Sequence, residues 1–382
     1  MDISLISQRI DAQLDFHIQD AHKPMKILLF TDSLGAGGAQ RQLVGLARLL
    51  QLKGYNIKVC TYHHFDFYKS FLDDNKIKIE LIPGAGKAKK RILSAITYFK
   101  KERPDCVIAY QETPSLISCI AKSFGCKFRL IVSERNTTQS VGVKERIRFF
   151  FYRWADYIVP NSYAQENFLA SHYPWMEAKL STISNFVDLN RFAYTMKEKR
   201  EIPLIVIAAS IWPPKNALGL IQAAKLLKDR DCKFNIEWYG ITEAYSEYLS
   251  KCKDLIAQTE LKDYIKLLPK SKQIQEQYRN CDFFCLPSFY EGTPNVICEA
   301  MSCGRPVICS DVCDNPIYVA EGENGFLFDP TNPSSIADAI ERALNVTSDE
   351  YKLLCKNSRK KAEHLLNENE FVDKYINIIN NK

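Results

Sequence analysis

The sequence has 382 residues, a length that accommodates two domains of ordinary size. Hydrophobic residues make up 46% and charged residues 25% of the chain, and this balance excludes a mainly disordered or fibrous protein. The 51 basic and 45 acidic residues leave a formal net charge of +6, which is too small an excess to indicate a nucleic-acid-binding protein.

Cysteine usage and the start of the chain predict a cytoplasmic protein. The thirteen cysteines lie mostly within apolar runs and lack the paired spacing of a zinc site, so we expect buried thiols in a reducing compartment. Residues 1–24 carry several aspartates and form an N-terminal extension that lacks the basic start and apolar stretch of a signal peptide. No apolar run approaches the roughly 20 residues of a transmembrane helix.

In the first half of the chain, short β-branched runs alternate with longer helical patterns, which is typical of parallel βαβ units. We predict strands at 26–31, 57–62, 77–82, 106–110, 128–133 and 157–160. After the first strand, apolar residues recur at the spacing of one buried helical face, namely Ala39, Leu43, Leu46, Ala47 and Leu50. This order of elements predicts a Rossmann-like domain over residues 25–195.

The alternation restarts after a charged segment with few apolar residues, 190–202, which we interpret as an exposed linker. Further strands are predicted at 204–209, 234–239, 264–268, 282–286 and 306–310. They indicate a second Rossmann-like domain over residues 196–366. The last segment, 367–382, places Phe371, Tyr375, Ile378 and Ile379 on one helical face, so it must pack against another part of the protein.

The most informative turn follows the predicted strand 282–286 and opens a helix. Thr293 is expected to cap this helix and Pro294 to take its first position, where a missing N–H is not needed. Gly292 has no side chain, so the backbone N–H groups of residues 293–296 would approach a diphosphate closely. An ordinary strand-to-helix turn would use the same residue types, and this interpretation stays open.

Two glutamates lie on either side of this helix start. Glu299, one to two turns into the helix, would accept hydrogen bonds from both hydroxyls of a nucleotide ribose. Glu291, in the preceding loop, would lie on the sugar side of the diphosphate and bind sugar hydroxyls. Glutamates also favour the first turns of helices without any ligand, because they interact with the helix dipole.

Two further turns carry residues suited to an anionic ligand. Gly37 and Gly38 occupy the first strand-to-helix turn, where backbone amides would face an anionic group, although a tight turn alone also explains them. Lys215 follows a Trp-Pro-Pro run and precedes a helix, so its ammonium would offset the charge of a leaving diphosphate. A solvated surface lysine is the alternative for Lys215 taken alone.

Together these residues resemble the E-x7-E signature of glycosyltransferase family 4, with Glu291 and Glu299 at the two glutamate positions. Further similarity to motifs of that family lies at 37–40, 185–188 and 214–216. The resemblance implies the GT-B fold, in which two Rossmann-like, doubly wound α/β domains face a cleft and a C-terminal helix crosses back to the first domain. It also implies a donor bound mainly by the second domain, an acceptor bound mainly by the first, and transfer that retains the anomeric configuration.

Site residues follow from the same resemblance. Its implied catalytic residues are Glu291, Lys215 and Arg135. Its implied donor-binding residues are Gly37, Gly38, Ser210, Lys215, Gly240, Glu291, Gly292, Thr293, Pro294, Asn295, Val296 and Glu299. The chain departs from the family pattern twice, since Ser210 stands where some members have an arginine and Arg135 stands at the position of a histidine. Either Arg135 supplies a substitute donor and positive charge, or its loop only packs.

The resemblance also implies transfer without a bound metal or other cofactor, and this fits cleft segments that contain no Asp-x-Asp and histidines that show no ligand spacing. Basic and aromatic residues crowd the segment 144–154, and with the basic residues of 87–91 they would contact anionic lipid. The same segment is compatible with a core helix whose charges face solvent. A cytoplasmic location with peripheral attachment to the inner face of the plasma membrane is therefore one of two interpretations.

The leading functional hypothesis is a glycosyltransferase that moves a hexose or N-acetylhexosamine from a nucleotide diphosphate sugar, with UDP favoured over GDP. The acceptor implied by the resemblance is lipid-linked or a polysaccharide, in cell-envelope glycan synthesis of the O-antigen or capsule type. A nucleotide-sugar epimerase or hydrolase on the same fold is an alternative, which dependence of turnover on an acceptor would separate. A non-catalytic nucleotide-sugar-binding subunit is a second alternative, motivated by Ser210 and Arg135.

Overall fold

A computed structural model describes residues 24–64, 67–84 and 86–381. Residues 1–23, most of the predicted N-terminal extension, lie outside the described part of the chain. The described residues form two six-stranded parallel sheets flanked by helices. The predicted pair of Rossmann-like α/β domains is therefore confirmed.

The first domain has the strand order β3-β2-β1-β4-β5-β6. Its strands are β1 Lys26–Phe30, β2 Asn56–Thr61, β3 Lys78–Leu81, β4 Cys106–Tyr110, β5 Arg129–Glu134 and β6 Tyr157–Pro160. Its helices are α1 Gly38–Leu52, α2 Lys69–Asp74, α3 Ala88–Glu102, α4 Glu112–Ser123, α5 Val143–Phe151 and α6 Tyr163–His172. The order reverses between β1 and β4, and open α/β sheets bind ligands in the crevice at the carboxyl ends of such strands.

The second domain repeats this plan with the strand order β12-β11-β10-β7-β8-β9. Its strands are β7 Leu204–Ala208, β8 Asn235–Ile241, β9 Ile265–Pro269, β10 Phe283–Leu286, β11 Val307–Ser310 and β12 Gly325–Phe328. Its helices are α7 Ala217–Asp229, α8 Ser246–Gln258, α9 Ile274–Asn280, α10 Asn295–Ser302, α11 Asn315–Tyr318, α12 Pro333–Leu344 and α13 Ser348–Leu365, and the last helix of the chain is α14 Glu368–Asn380. The order reverses between β7 and β10, directly before the turn that carries the two glutamates.

Every predicted strand overlaps an observed one. Helices cover both faces of each sheet, so the strands are continuous apolar runs, and such runs can be recognised in the sequence. The strand β12 was missed by the sequence analysis. It has four residues, begins with glycine and contains no β-branched residue. It is a strand because it pairs in parallel with β11. A Cβ at position 325 would lie 1.9 Å from the Val307 carbonyl oxygen, so this close pairing requires the glycine.

The last helix, α14, packs on the first domain although it follows the second domain in the chain. Phe371, Tyr375, Ile378 and Ile379 are buried in the same core as residues of β1 and α1. The hydroxyl groups of Tyr375 and Tyr110 lie 3.0 Å apart at the bottom of this contact. The final helix therefore crosses back to the first domain and packs its predicted apolar face against that domain's core.

The cysteines are free thiols, as expected, and eleven of the thirteen are buried. Burial raises the pKa of Cys60 to about 12, so this thiol is protonated and acts as a small apolar side chain. Cys313 differs from the expectation because its residue is exposed, and Cys232 is half-buried.

The close approach of β8 to the residues that follow β7 requires a glycine at position 240, and a substitution there tests this requirement. We expect Gly240→Ala to lower the free energy of unfolding by about 1–3 kcal/mol in urea denaturation, because the added Cβ would lie 1.7 Å from the Ala209 carbonyl oxygen. Gly86→Ala is the control, since its Cβ would meet no atom within 4 Å. Equal stability of the two variants would contradict this packing role.

Candidate active site

Two helix N-termini face each other across the cleft between the domains. The helix α1 begins at Gly38 and α10 begins at Asn295, and a Cβ at Gly38 would lie 2.6 Å from Asn295 Nδ2. Neither helix has a side-chain cap or an acidic residue in its first turn. Both first turns therefore keep backbone N–H groups available, and the positive ends of two helix dipoles converge on one place.

The start of α10 differs from the prediction. We expected Thr293 to cap the helix and Pro294 to be its first residue, but Pro294 is the N-cap and no side chain caps the helix. The Thr293 hydroxyl instead donates a hydrogen bond to the carbonyl of Asn161 in the first domain. The sequence shows that Thr293 is a residue type that can cap a helix. It does not show that a carbonyl group of the other domain accepts the hydrogen bond of the Thr293 hydroxyl instead.

Residues of the first domain also approach the start of α10. The Asn295 side-chain oxygen accepts hydrogen bonds from Asn185 Nδ2 at 2.8 Å and from Gln42 Nε2 at 3.3 Å. At Gly292 a Cβ would lie 3.2 Å from the Asn161 side chain, so a larger residue would press against the first domain. The structure thus brings the predicted segment 292–296 to the domain interface, opposite Gly38.

Lys215 and Glu291 form an ion pair in the cleft. Lys215 ends the short helical turn Pro213–Lys215, and its Nζ donates to the Glu291 carboxylate. Both side chains are largely buried, which strengthens their interaction relative to a surface pair. The Glu291 carbonyl accepts a hydrogen bond of 2.6 Å from the Thr137 hydroxyl, which holds this loop against the first domain. Two of the three predicted catalytic residues are therefore in contact.

Glu299 lies one turn into α10, as predicted, but its carboxylate already has partners. One oxygen accepts from the Arg41 guanidinium of the first domain and the other from the Tyr278 hydroxyl at 3.2 Å. Burial raises the pKa of Glu299, and the positive charge of Arg41 opposes this rise. The sequence analysis missed both partners, although Arg41 lies three residues after Gly38 and so one helical turn along α1.

Two family profiles match the chain. Residues 36–191 match the profile described as Glycosyltransferase Family 4, and residues 188–361 match the one described as Glycosyl transferases group 1. Together they cover both domains and the cleft described above.

The chain belongs to glycosyltransferase family 4. An N-acetylgalactosamine-N,N'-diacetylbacillosaminyl-diphospho-undecaprenol 4-alpha-N-acetylgalactosaminyltransferase of Campylobacter jejuni is 26% identical over 88% of this chain and 94% of its own length. A UDP-Gal:alpha-D-GlcNAc-diphosphoundecaprenol alpha-1,3-galactosyltransferase of Escherichia coli is 31% identical over 53% of this chain and 56% of its own. The Anabaena Alr3699/HepE structure in complex with UDP and glucose superposes with a TM-score of 0.80 at 19% identity, over 92% of this chain and 98% of its own.

In this glycosyltransferase, Arg135 is a buried residue beside the cleft. Its guanidinium donates to Asn185 Oδ1 and to Ser133 Oγ at 3.3 Å, and it lies 4.8 Å from the centre of the Tyr110 ring. Its Nε has no hydrogen-bond partner among the residues that the structure describes. Arg135 therefore contacts Asn295 only through Asn185, and its catalytic role stays a prediction.

Ser210 and Gly240 lie together at the ends of β7 and β8. A Cβ at Gly240 would lie 3.1 Å from the Ser210 Cα, so the two backbones are in contact. This close approach is a packing reason for the glycine, and it does not depend on a donor. The donor-binding roles of both residues stay predictions.

Asp314 is an interface residue of the glycosyltransferase that the sequence analysis missed. Its carboxylate accepts hydrogen bonds from the backbone N–H groups of Tyr163 and Ala164, at 2.8 and 2.9 Å. These groups belong to the first turn of α6 in the other domain, so Asp314 acts as a cap across the interface. Only the folded arrangement shows this, because 150 residues separate Asp314 from Ala164.

We expect Asp314→Ala to loosen the contact between the domains and lower the free energy of unfolding by about 1.5–3 kcal/mol, because two backbone donors lose a charged acceptor. Denaturant unfolding and the radius of gyration in small-angle scattering measure these changes. Asp311 lies on the same loop and is exposed, so Asp311→Ala is the control. It should leave the stability and the radius of gyration unchanged. Unaltered stability and dimensions of the Asp314 variant would contradict the interdomain cap.

Proposed function

We propose that this glycosyltransferase moves a hexose or N-acetylhexosamine from a UDP-sugar to a lipid-linked or polysaccharide acceptor in cell-envelope glycan synthesis. The observation that carries the proposal is the pair of facing helix N-termini at Gly38 and Asn295, with Lys215 of the turn before α7 paired to Glu291 of the loop before α10. Such helix ends bind phosphate groups through backbone N–H groups and the helix dipole. The names of the Campylobacter and Escherichia relatives support a UDP-sugar donor and a diphospho-undecaprenol-linked acceptor.

In the proposed reaction the donor diphosphate lies beside the contact between the starts of α1 and α10, against the backbone N–H groups of both helices. Lys215 stabilises the negative charge that develops on the leaving diphosphate as its bond to the anomeric carbon breaks. The acceptor oxygen bonds to that carbon from the same face, and its proton passes to the departing phosphate oxygen, so the configuration is retained. Glu291 accepts hydrogen bonds from hydroxyls of the transferred sugar. Two helix ends and one lysine supply the positive charge, and we propose that transfer needs no metal.

Part of α5 supports a site of action at a membrane. Val143, Ile147 and Phe150 are spaced by four and three residues, and they are 73%, 47% and 49% exposed. Phe149 of the same helix is buried, so α5 has an exposed apolar stripe rather than aromatic residues on all faces. We name Val143, Ile147 and Phe150 the α5 stripe.

Basic side chains border the α5 stripe. Lys144 and Arg146 are exposed on the same helix, and the Arg153 guanidinium lies 5.0 Å from the centre of the Phe150 ring. An apolar stripe with basic borders is suited to the headgroup region of an anionic bilayer. The loop before α5 reaches the cleft through the Thr137–Glu291 hydrogen bond, so an acceptor anchored in that bilayer would present its sugar nearby.

We propose peripheral attachment to the inner face of the plasma membrane through the α5 stripe. Lys87, Lys89 and Lys90, at the start of α3, are also exposed and would add to the attraction. Among the described residues, no helix is long and apolar enough to cross a bilayer.

Lys215→Ala tests the reaction. We expect turnover to fall about 100- to 1000-fold while the donor Kd changes only a few-fold, because Lys215 acts on charge that develops in the transition state. A thermal-shift screen of UDP-glucose, UDP-galactose and their N-acetylhexosamine analogues selects the donor, and transfer to diphospho-undecaprenol-linked sugars is then assayed with and without EDTA. Lys225→Ala, an exposed lysine paired with Asp229, is the control and should behave as the wild type.

Three results would contradict the proposed reaction. Sugar release or isomerisation at full rate without any acceptor would favour the epimerase or hydrolase. Loss of all transfer in EDTA, restored by a divalent ion, would contradict metal-independent transfer. A Lys215 variant with wild-type turnover would remove its role at the leaving group.

The double variant Ile147→Asp and Phe150→Asp, which places two acidic groups in the α5 stripe, tests the membrane surface. We expect the double variant to lose most of its co-sedimentation with vesicles of phosphatidylglycerol and phosphatidylethanolamine, because acidic groups would be driven into an anionic interface. Leu353→Asp is the control, since Leu353 is an apolar residue of the second domain that is 58% exposed and lies outside the α5 stripe. Equal binding of the double variant and the control would contradict attachment through the α5 stripe.

A further inference from the structure

The contact between Arg41 and Glu299 joins the two domains at the predicted ribose position. Arg41 belongs to α1, and its Nη2 donates to Glu299 Oε1 of α10. The second carboxylate oxygen accepts from the Tyr278 hydroxyl at 3.2 Å. The Glu299 side chain is only 3% exposed. Its orientation is therefore fixed by one residue from each domain.

Among the described residues, Arg41 is the one positive side chain within ion-pair distance of Glu299. The charged and titratable groups that face it are Arg41 of α1, Tyr68 before α2, Arg191 of the linker, Tyr278 of α9, Cys298 of α10 and Cys303 directly after α10. Arg191 acts on Glu299 only through space, and no ion pair is found for it among the described residues. Burial raises the pKa of Glu299, so loss of the Arg41 charge would favour the neutral acid.

The protonation state of Glu299 decides what it can bind. An ionised carboxylate is an acceptor only, and it can receive hydrogen bonds from both ribose hydroxyls. A protonated carboxyl carries a donor of its own and loses the strength of a charge-assisted bond. Ribose recognition at this position therefore requires the charged form.

We propose that Arg41 is a positioning residue for the donor nucleotide, which holds Glu299 as an oriented carboxylate for the ribose hydroxyls. This inference rests on the proposed function, because it assumes a nucleotide sugar in the cleft. Since Arg41 and Glu299 come from different domains, the ribose site is complete only when the domains are closed on each other. Arg41 thereby couples domain closure to nucleotide recognition.

The competing explanation is that Arg41 only clasps the domains together. If Arg41 only joined the domains, its loss would change the donor affinity by the same factor at every pH. If Arg41 positions Glu299, its loss also changes how the donor affinity depends on pH. The affinity of the wild type is lost as the pH falls through the pKa of Glu299. Without Arg41 that pKa rises further, so the loss of affinity occurs at a higher pH.

The test measures the Kd of the UDP-sugar chosen by the thermal-shift screen, by calorimetry from about pH 5 to about pH 9. The diphosphate diester of a UDP-sugar does not titrate in this range, so changes report on the protein. For Arg41→Ala we expect the midpoint of the affinity loss to move up by about one pH unit or more, with about tenfold weaker binding below it. Arg41→Lys should restore the wild-type profile in part, because it retains the charge without the guanidinium geometry.

Arg48→Ala is the matched control. Arg48 lies on the same helix, two turns further along, and pairs with the exposed Glu368 at 3.5 Å. We expect its pH profile to equal that of the wild type. Thermal unfolding of each variant verifies that the protein is folded.

An unchanged profile for Arg41→Ala, or a loss of affinity by one factor at all pH values without rescue by lysine, would overturn the inference. Glu299→Gln binding as tightly as the wild type would also overturn it, because a neutral amide would then serve as well as the carboxylate. Failure of the proposed function is a different result, and it would show as no binding of any nucleotide sugar by the wild type.

Discussion

The close approach of two helix starts is the constraint on which the site depends. Gly38 and Asn295 meet because the glycine has no side chain, and a Cβ there would lie 2.6 Å from the asparagine. This contact brings two sets of unpaired backbone donors to one point of the cleft. Glu291 lies in the loop before α10 and Glu299 lies one turn into that helix, whereas Lys215 comes from the turn before α7 and pairs with Glu291.

A set of polar contacts between the domains surrounds this point. Thr293 donates to the Asn161 carbonyl, Asp314 caps α6, and the Asn295 side chain accepts from Asn185. Several of these groups belong to the predicted donor site. Thr293 and Asn295, which are predicted to bind the donor, therefore also hold the domains together.

The two departures from the family pattern have a physical context in the structure. Arg135 lies against the Tyr110 ring and donates to Asn185, and Asn185 in turn donates to Asn295. One residue therefore separates the positive charge of Arg135 from the start of α10. Ser210 is a small residue at the point where β7 and Gly240 of β8 touch. Among the residues predicted for the donor site, Lys215 is the cationic one that contacts Glu291.

The sequence by itself determined the alternation of strands and helices, the two-domain plan and the turn carrying both glutamates, because these features are local patterns of apolar spacing and turn chemistry. It did not determine β12, which is a strand only through its pairing with β11. Tertiary structure alone decided that Thr293 contacts Asn161, Glu299 contacts Arg41 and Asp314 contacts Ala164, since each of these partners lies on the other domain, more than a hundred residues away. A hydrogen bond between domains depends on how two surfaces meet, and no local sequence pattern records that.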